Sequence, residues 1–272
     1  MAAERTILAD LRLGLRPRLL LAILGVTLCF YFDNLEGLRN CSGNTLIYVE
    51  NSVTCVMYFF FNSFSFGGLF TQLFAPMLAA VPLACAYCTE HQGGLTVYQL
   101  TRCGRKTYVR SKFLGAALLG GLTLFGGGAL FILVLRSFLP IVTPQKLLES
   151  DWIPYFDALN SGDGGAYLAI VLYLSFLGGC LWGSAGLWVS AYLPSPYVAI
   201  SAPFVFRFLM TQADRMLGLP PHLRLDLLLS ARASIGPDWV TLAATTAAVF
   251  ALIWIFYRLF SRRIERGLQN GF

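Results

Sequence analysis

Charged residues are absent from five long stretches of the chain: 19–32, 51–89, 113–135, 164–206 and 239–257. A helix rises ~1.5 Å per residue, so about 20 residues cross a hydrocarbon core of roughly 30 Å. Stretches 113–135 and 239–257 each match one crossing. As a single helix, stretch 164–206 would be about 64 Å long, enough for two crossings. Leu193-Pro194-Ser195-Pro196 supplies the break, because each proline lacks an N–H and disfavours helix in the residue before it. Stretch 51–89 predicts one crossing at 66–88, preceded by the aromatic run Tyr58-Phe59-Phe60-Phe61 at an interface. Stretch 19–32 is short, and its flanks lengthen it where Arg16 and Arg18 snorkel to the headgroups. The pattern predicts an all-α polytopic membrane protein, a single transmembrane domain over 1–272. Its six helices lie at about 19–35, 66–88, 113–135, 167–193, 196–210 and 239–260.

The segments between the spans have patterns of their own. Ile7, Leu8, Leu11 and Leu15 share one helical face, which predicts an amphipathic interfacial helix over 1–18. That helix is either a membrane anchor or a contact for a cytoplasmic partner. Segment 89–112 runs through Glu90, His91, Gly93, Gly94, Leu95, Tyr98, Leu100, Arg102, Gly104, Arg105, Lys106, Tyr108 and Lys112. Its mixture of apolar and polar positions predicts a short surface helix bounded by the glycine pair and by Gly104. Segment 143–157 places Leu147, Leu148, Trp152, Tyr155 and Phe156 among acids, as interfacial aromatics commonly are. In segment 211–238, Leu225, Leu228 and Leu229 would let the backbone dip into the membrane as a re-entrant element, if protein or water covers it.

Composition narrows the class further. The chain is 57% hydrophobic and only 12% charged, against about a quarter charged in soluble domains. That excludes disorder, collagen-like repeats and a disulfide-stapled secreted module. Placement of the charges then predicts orientation. With both termini in the cytoplasm, thirteen of the twenty lysines and arginines lie inside, six lie outside, and Arg207 lies within the fifth span. The net charge of +6 is thus a positive rim facing anionic lipid and calls for no nucleic acid. A continuous multi-span pattern follows the hydrophobic start, so that start reads as a first span and not as a cleaved signal.

Chemistry-bearing residues are few. The two histidines, His91 and His222, fall in loops on opposite sides, so no Ser–His dyad is expected within the membrane. In Gly183-Ser184-Ala185-Gly186 the serine stands one place too early for an intramembrane serine protease motif. HExxH is absent, and Gly104-Arg105-Lys106-Thr107 lacks the spacing of a phosphate-binding loop. No catalytic, cofactor-binding or metal-binding residue is expected, and ATP and Mg would have to sit in a partner chain. Every Asp and Glu falls outside the span cores, which disfavours a proton- or sodium-coupled carrier. Cys85 and Cys88 have CxxC spacing without a second pair, and Cys29 and Cys180 read as small apolar packing residues. Cys41 and Cys55 both fall outside and are free to pair or not. Gly179 and Gly183 form a GxxxG that permits close helix approach, within the chain or between subunits. Arg207 either snorkels outward, pairs with an acid such as Asp214, or lines a pathway.

The stretch from Ala75-Pro76 through Ala84, Glu90, Gly93, Leu100, Arg102, Arg105, Tyr108 and Lys112 into a glycine-rich third span resembles type-2 ABC-transporter permeases. It is most similar to the small bacterial permeases whose ATPase is a separate polypeptide. The resemblance implies a multi-pass subunit of the bacterial plasma membrane with both termini inside. It further implies a dimer, homodimeric or heterodimeric, bound to ABC ATPase subunits and embedded in membrane lipid. On that resemblance, Glu90, Gly93, Leu95, Tyr98, Arg102, Arg105, Tyr108 and Lys112 belong to an ATPase-coupling loop, in which Glu90 and Gly93 shape the turn and Arg102, Arg105 and Lys112 anchor it to headgroups or ATPase acids. His91 stands where such permeases often carry a second acid. The competing expectation is a six-span membrane protein without an ATPase partner, either an intramembrane enzyme or a scaffold.

Overall fold

The structure, a computed structural model, describes residues 17–43, 56–64, 68–139, 154–155 and 164–270. It is all-helical, with no strand among the described residues. In chain order the helices are α1 (Pro17–Asp33), α2 (Leu35–Gly43), α3 (Val56–Phe64), α4 (Leu69–Gln92), α5 (Leu95–Cys103), α6 (Arg105–Arg136), α7 (Gly164–Ser190), α8 (Pro196–Met216), α9 (Leu225–Leu229) and α10 (Asp238–Asn270), with a 3-10 turn at Pro221–Leu223. Residues 1–16 of the expected amphipathic helix, the expected interfacial segment 143–157 except 154–155, and the Cys41–Cys55 question lie outside the described residues and side chains.

Three segments are long and apolar enough to cross a membrane: Arg105–Arg136, Gly165–Ser190 and Asp238–Gly267. The protein is therefore a helical membrane protein in character. The other long helices are limited by length or charge. With 17 residues, α1 reaches only about 25 Å. The apolar part of α4 stops at Ala84. Arg207, Asp214 and Arg215 interrupt α8.

Packing sets the layers. The helix α7 is central: 72% of its most apolar stretch is buried, against 22% for α10, which therefore runs along the outside. α7 packs on α6, α4, α8 and α10, and α1 packs on α4 and α6. Leu119, Leu174, Leu181, Leu187 and Phe260 are fully buried between them. The apolar side chains left outside, such as Leu20, Leu24, Phe250 and Trp254, are suited to lipid.

The α6–α7 seam is the tightest. A Cβ on Gly179 would strike the Gly120 carbonyl oxygen, and one on Gly183 would strike the Ala116 carbonyl oxygen. Gly179 and Gly183 thus bring two helices of the same chain together, through the close approach that a missing side chain allows.

Several boundaries differ from the sequence expectation, among them the end of α10, which runs to Asn270 past position 260. α6 begins at Arg105, eight residues before position 113, because the helix continues past its apolar stretch, burying Tyr108 and pairing Lys112 with Glu90 of α4. α8 continues to Met216, past position 210, and so keeps Arg207 inside a helix rather than near its end.

Candidate functional site

Both ends of α4 are built from polar groups, and each makes a candidate site. At its C-terminal end the chain turns through Gly93 and Gly94, the latter at φ 69°, a left-handed conformation that glycine adopts without strain. Gly93 and Gly94 donate their N–H groups to the Thr89 and His91 carbonyls at 3.0 and 3.1 Å. α5 follows for nine residues and ends at Gly104, where φ is 77°. The short helix lies between the glycines that the sequence sets at these positions.

α5 has two faces. Thr96 and Leu100 are buried against the bundle, while Leu95, Val97, Tyr98, Thr101 and Arg102 are exposed. Tyr98 shows 63% of its surface. Lys106 and Arg110 extend the exposed basic face along the start of α6.

Two ion pairs brace this hairpin. Lys112 Nζ sits 2.8 Å from Glu90 Oε1 and 2.7 Å from Oε2, with its side chain only 1% exposed. It also approaches the Tyr108 ring, 5.8 Å from its centroid. Arg105 donates to the Glu265 carboxylate near the end of α10. The three residues expected to anchor the loop to headgroups or to a partner's acids thus divide. Lys112 is locked onto Glu90 inside the bundle, Arg105 is engaged by Glu265, and Arg102 is left exposed. The physical reason is distance: α6 leaves the turn antiparallel to α4, so a position 22 residues further on returns beside Glu90. Around this point Tyr87 stacks on His91, with centroids 6.0 Å apart, and meets Phe260 edge-on. The α7–α8 turn joins the same surface, where Gln92 donates to the Pro194 carbonyl at 2.8 Å and Arg263 lies over the Tyr192 ring.

At the opposite end, Asp33 caps α4 by accepting the N–H groups of Phe70 and Thr71 at 2.8 and 2.9 Å. These are orphan donors of a helix start, where a carboxylate is doubly suited. Beside it Asn34 donates to the Phe30 and Phe59 carbonyls and to Ser63 Oγ. Two turns into α4, Pro76 lacks the N–H that would bond the Gln72 carbonyl. Arg207 of α8 supplies the missing donor, with Nη1 3.2 Å from that oxygen. Arg207 therefore crosses to another helix to satisfy a proline break. The pattern in the sequence that points to it is Pro76 four places after Gln72; which arginine answers is not a local property.

Near Arg207, Arg224 pairs with Asp226 at 3.2 Å. Burial lowers Arg232. Leu228 and Leu229 of α9 are buried, and Leu229 lines a cavity of about 60 Å³ together with Asp226, Ser230, Arg207, Gln72 and Thr71. Segment 217–238 thus closes one end of the bundle.

Ser184 is buried and donates to the Leu181 carbonyl. Among the described residues no three His, Cys, Asp or Glu side chains converge on a metal-sized site. No family model, no curated protein and no solved structure matches the chain.

Proposed function

We propose that the chain is the membrane-spanning permease subunit of an ATP-driven exporter of the type-2 ABC class. In this reading it works as a dimer in the bacterial plasma membrane, with α1, α4, α6, α7, α8 and α10 as its six crossings and both termini in the cytoplasm. ATP and Mg are handled by a separate ATPase subunit, and α5 is the element that meets it.

The observation that carries this reading is the exposed face of α5. Leu95, Val97, Tyr98 and Arg102 stand outward from a helix held by Gly94 and Gly104 and braced at both flanks by the Glu90–Lys112 and Arg105–Glu265 pairs. A topological loop needs positive charge but has no use for apolar side chains in water. A helix that transmits force needs both an adhesive face and a rigid mounting. Interfaces concentrate their energy in aromatic and arginine anchors, and Tyr98 and Arg102 are that pair here. Exposed Lys106 and Arg110 favour an acidic rim on the partner.

The test is co-purification in mild detergent with the ATPase encoded beside the gene. Tyr98→Ala with Arg102→Glu should weaken association at least tenfold, about 1.4 kcal/mol, while membrane insertion and thermal stability stay unchanged. Full retention of the ATPase and of its ATP hydrolysis would remove α5 from the coupling role. Recovery of the intact chain without any ATPase would favour the partnerless reading.

A further inference from the structure

We propose that the outer face of α10 is a binding site for one anionic phospholipid, its phosphate held by Arg258 and Arg262 and an acyl chain laid along Trp254 and Phe250. The inference needs only that α10 crosses the membrane, and it is independent of any ATPase.

Spacing sets the face. Phe250, Trp254, Arg258, Arg262 and Arg266 recur every fourth residue of α10 and are all exposed, and residues four apart are neighbours on a helix surface. Together they make one stripe, apolar at its first two positions and cationic at its last three. α10 runs along the outside of the bundle, so the stripe is turned toward lipid.

Depth agrees with the order of the stripe. Exposed Trp239 stands near the start of α10, as indoles do at membrane interfaces. From position 239 to position 258 the axis advances about 28 Å, close to the roughly 30 Å of a hydrocarbon core. Arg258 thus emerges where phosphates begin, and Arg262 stands about 6 Å farther out, within the headgroup layer.

These cations are not spent inside the protein. Among the described residues no carboxylate pairs with Arg258, Arg262 or Arg266, and Glu265, the acid beside them, takes Arg105. Like charges four apart repel along a helix, so the stripe favours an anion from outside. The Arg258 guanidinium carbon lies 4.7 Å from the centroid of the Trp254 ring. Stacking orients the planar group and leaves its N–H edge open, the edge that grips phosphate at two points.

Topology needs positive charge at this end of α10, but it needs no alignment of three arginines on a face that continues as aromatic rings. A soluble anion would meet only the cationic half, and a protein partner would have to reach Arg258 at the edge of the hydrocarbon. A phospholipid meets both halves in the order in which it carries its own phosphate and chains.

The test uses the full chain, delipidated in non-ionic detergent and titrated with phosphatidylglycerol or with phosphatidylcholine of the same acyl chains. Native mass spectrometry should show saturable retention of one phosphatidylglycerol, preferred at least tenfold. Phosphatidylglycerol brominated on its chains should quench tryptophan fluorescence, and Trp254→Phe should remove a large part of that quenching. Arg258→Gln with Arg262→Gln should lower the affinity at least tenfold. Arg136→Gln, which removes an exposed arginine at the opposite end of α6, should leave it unchanged. Equal retention of the two lipids overturns the proposal, as does an unchanged affinity in the double variant. An equal loss in Arg136→Gln overturns it too, because the effect would then be one of net charge. If the double variant fails to insert, Arg258→Gln and Arg262→Gln are read singly, each with a severalfold loss expected and no loss decisive against the site. The chain is tested alone, so these readings stand whether or not an ATPase associates with it.

Discussion

Lys112 is a charged residue held where water does not reach. Its side chain is 1% exposed, and its partner Glu90 is 11% exposed. Such a pair adds little over an apolar pair of equal shape, because both charges lose their hydration on burial, but removing one member strands the other. Lys112→Met alone should therefore destabilise the protein by about 3–5 kcal/mol, read as unfolding in detergent. Adding Glu90→Leu should recover most of that loss. Simple additivity of the two single changes would show that the charges do not depend on each other. The value of the pair lies in geometry: it fixes the exit of α4 against the entry of α6 and so sets where α5 stands.

At the scale of elements, the α6–α7 seam supplies a matched pair of tests. Gly178 and Gly179 are neighbours on α7 with opposite surroundings. A Cβ on Gly178 would meet only Trp182 Nε1, at 3.8 Å, whereas one on Gly179 would collide with the Gly120 backbone. Glycine costs a helix roughly 0.5–1 kcal/mol relative to alanine, so Gly178→Ala should be neutral or stabilising. Gly179→Ala should instead cost about 1–3 kcal/mol from overpacking, seen as a lower melting temperature. Equal effects at the two positions would mean that α6 and α7 do not approach so closely. What the sequence makes legible at this scale is local. The glycine pair and Gly104 delimit α5, and Leu193-Pro194-Ser195-Pro196 separates α7 from α8. These are backbone statements that a residue makes by itself. The partners of Glu90, Arg105 and Arg207 are not legible in this way, because they lie 22, 160 and 135 residues distant. No helical period connects such positions, and only the packed bundle brings them together. The helix ends at Arg105 and Met216 are missed for a related reason. An apolar-stretch criterion stops where charge begins, but a helix stops where its hydrogen bonds do.

For the whole molecule, the question is which end faces which compartment. α4 has 24 residues, so its ends are separated by about 36 Å. Its C-terminal end carries α5, with Arg102, Lys106 and Arg110 exposed, and the last turns of α10 add exposed Arg262 and Arg266 nearby. Its N-terminal end is closed by α9 and the proline turn, where acids and bases are nearly balanced. Positive charge near span ends is retained on the cytoplasmic side, so the proposed permease arrangement has α5 facing inward and α9 outward. In a background with the native cysteines replaced, His222→Cys should react with a membrane-impermeant maleimide in intact cells. Lys106→Cys and Arg262→Cys should react only after permeabilisation. All three positions are exposed, so access to reagent is decided by the membrane and not by packing. Reaction of His222→Cys and Lys106→Cys from the same side would end the six-crossing arrangement. Exchange of the two patterns would keep the crossings but turn α5 outward, away from any ATP, and the coupling role would fall with it.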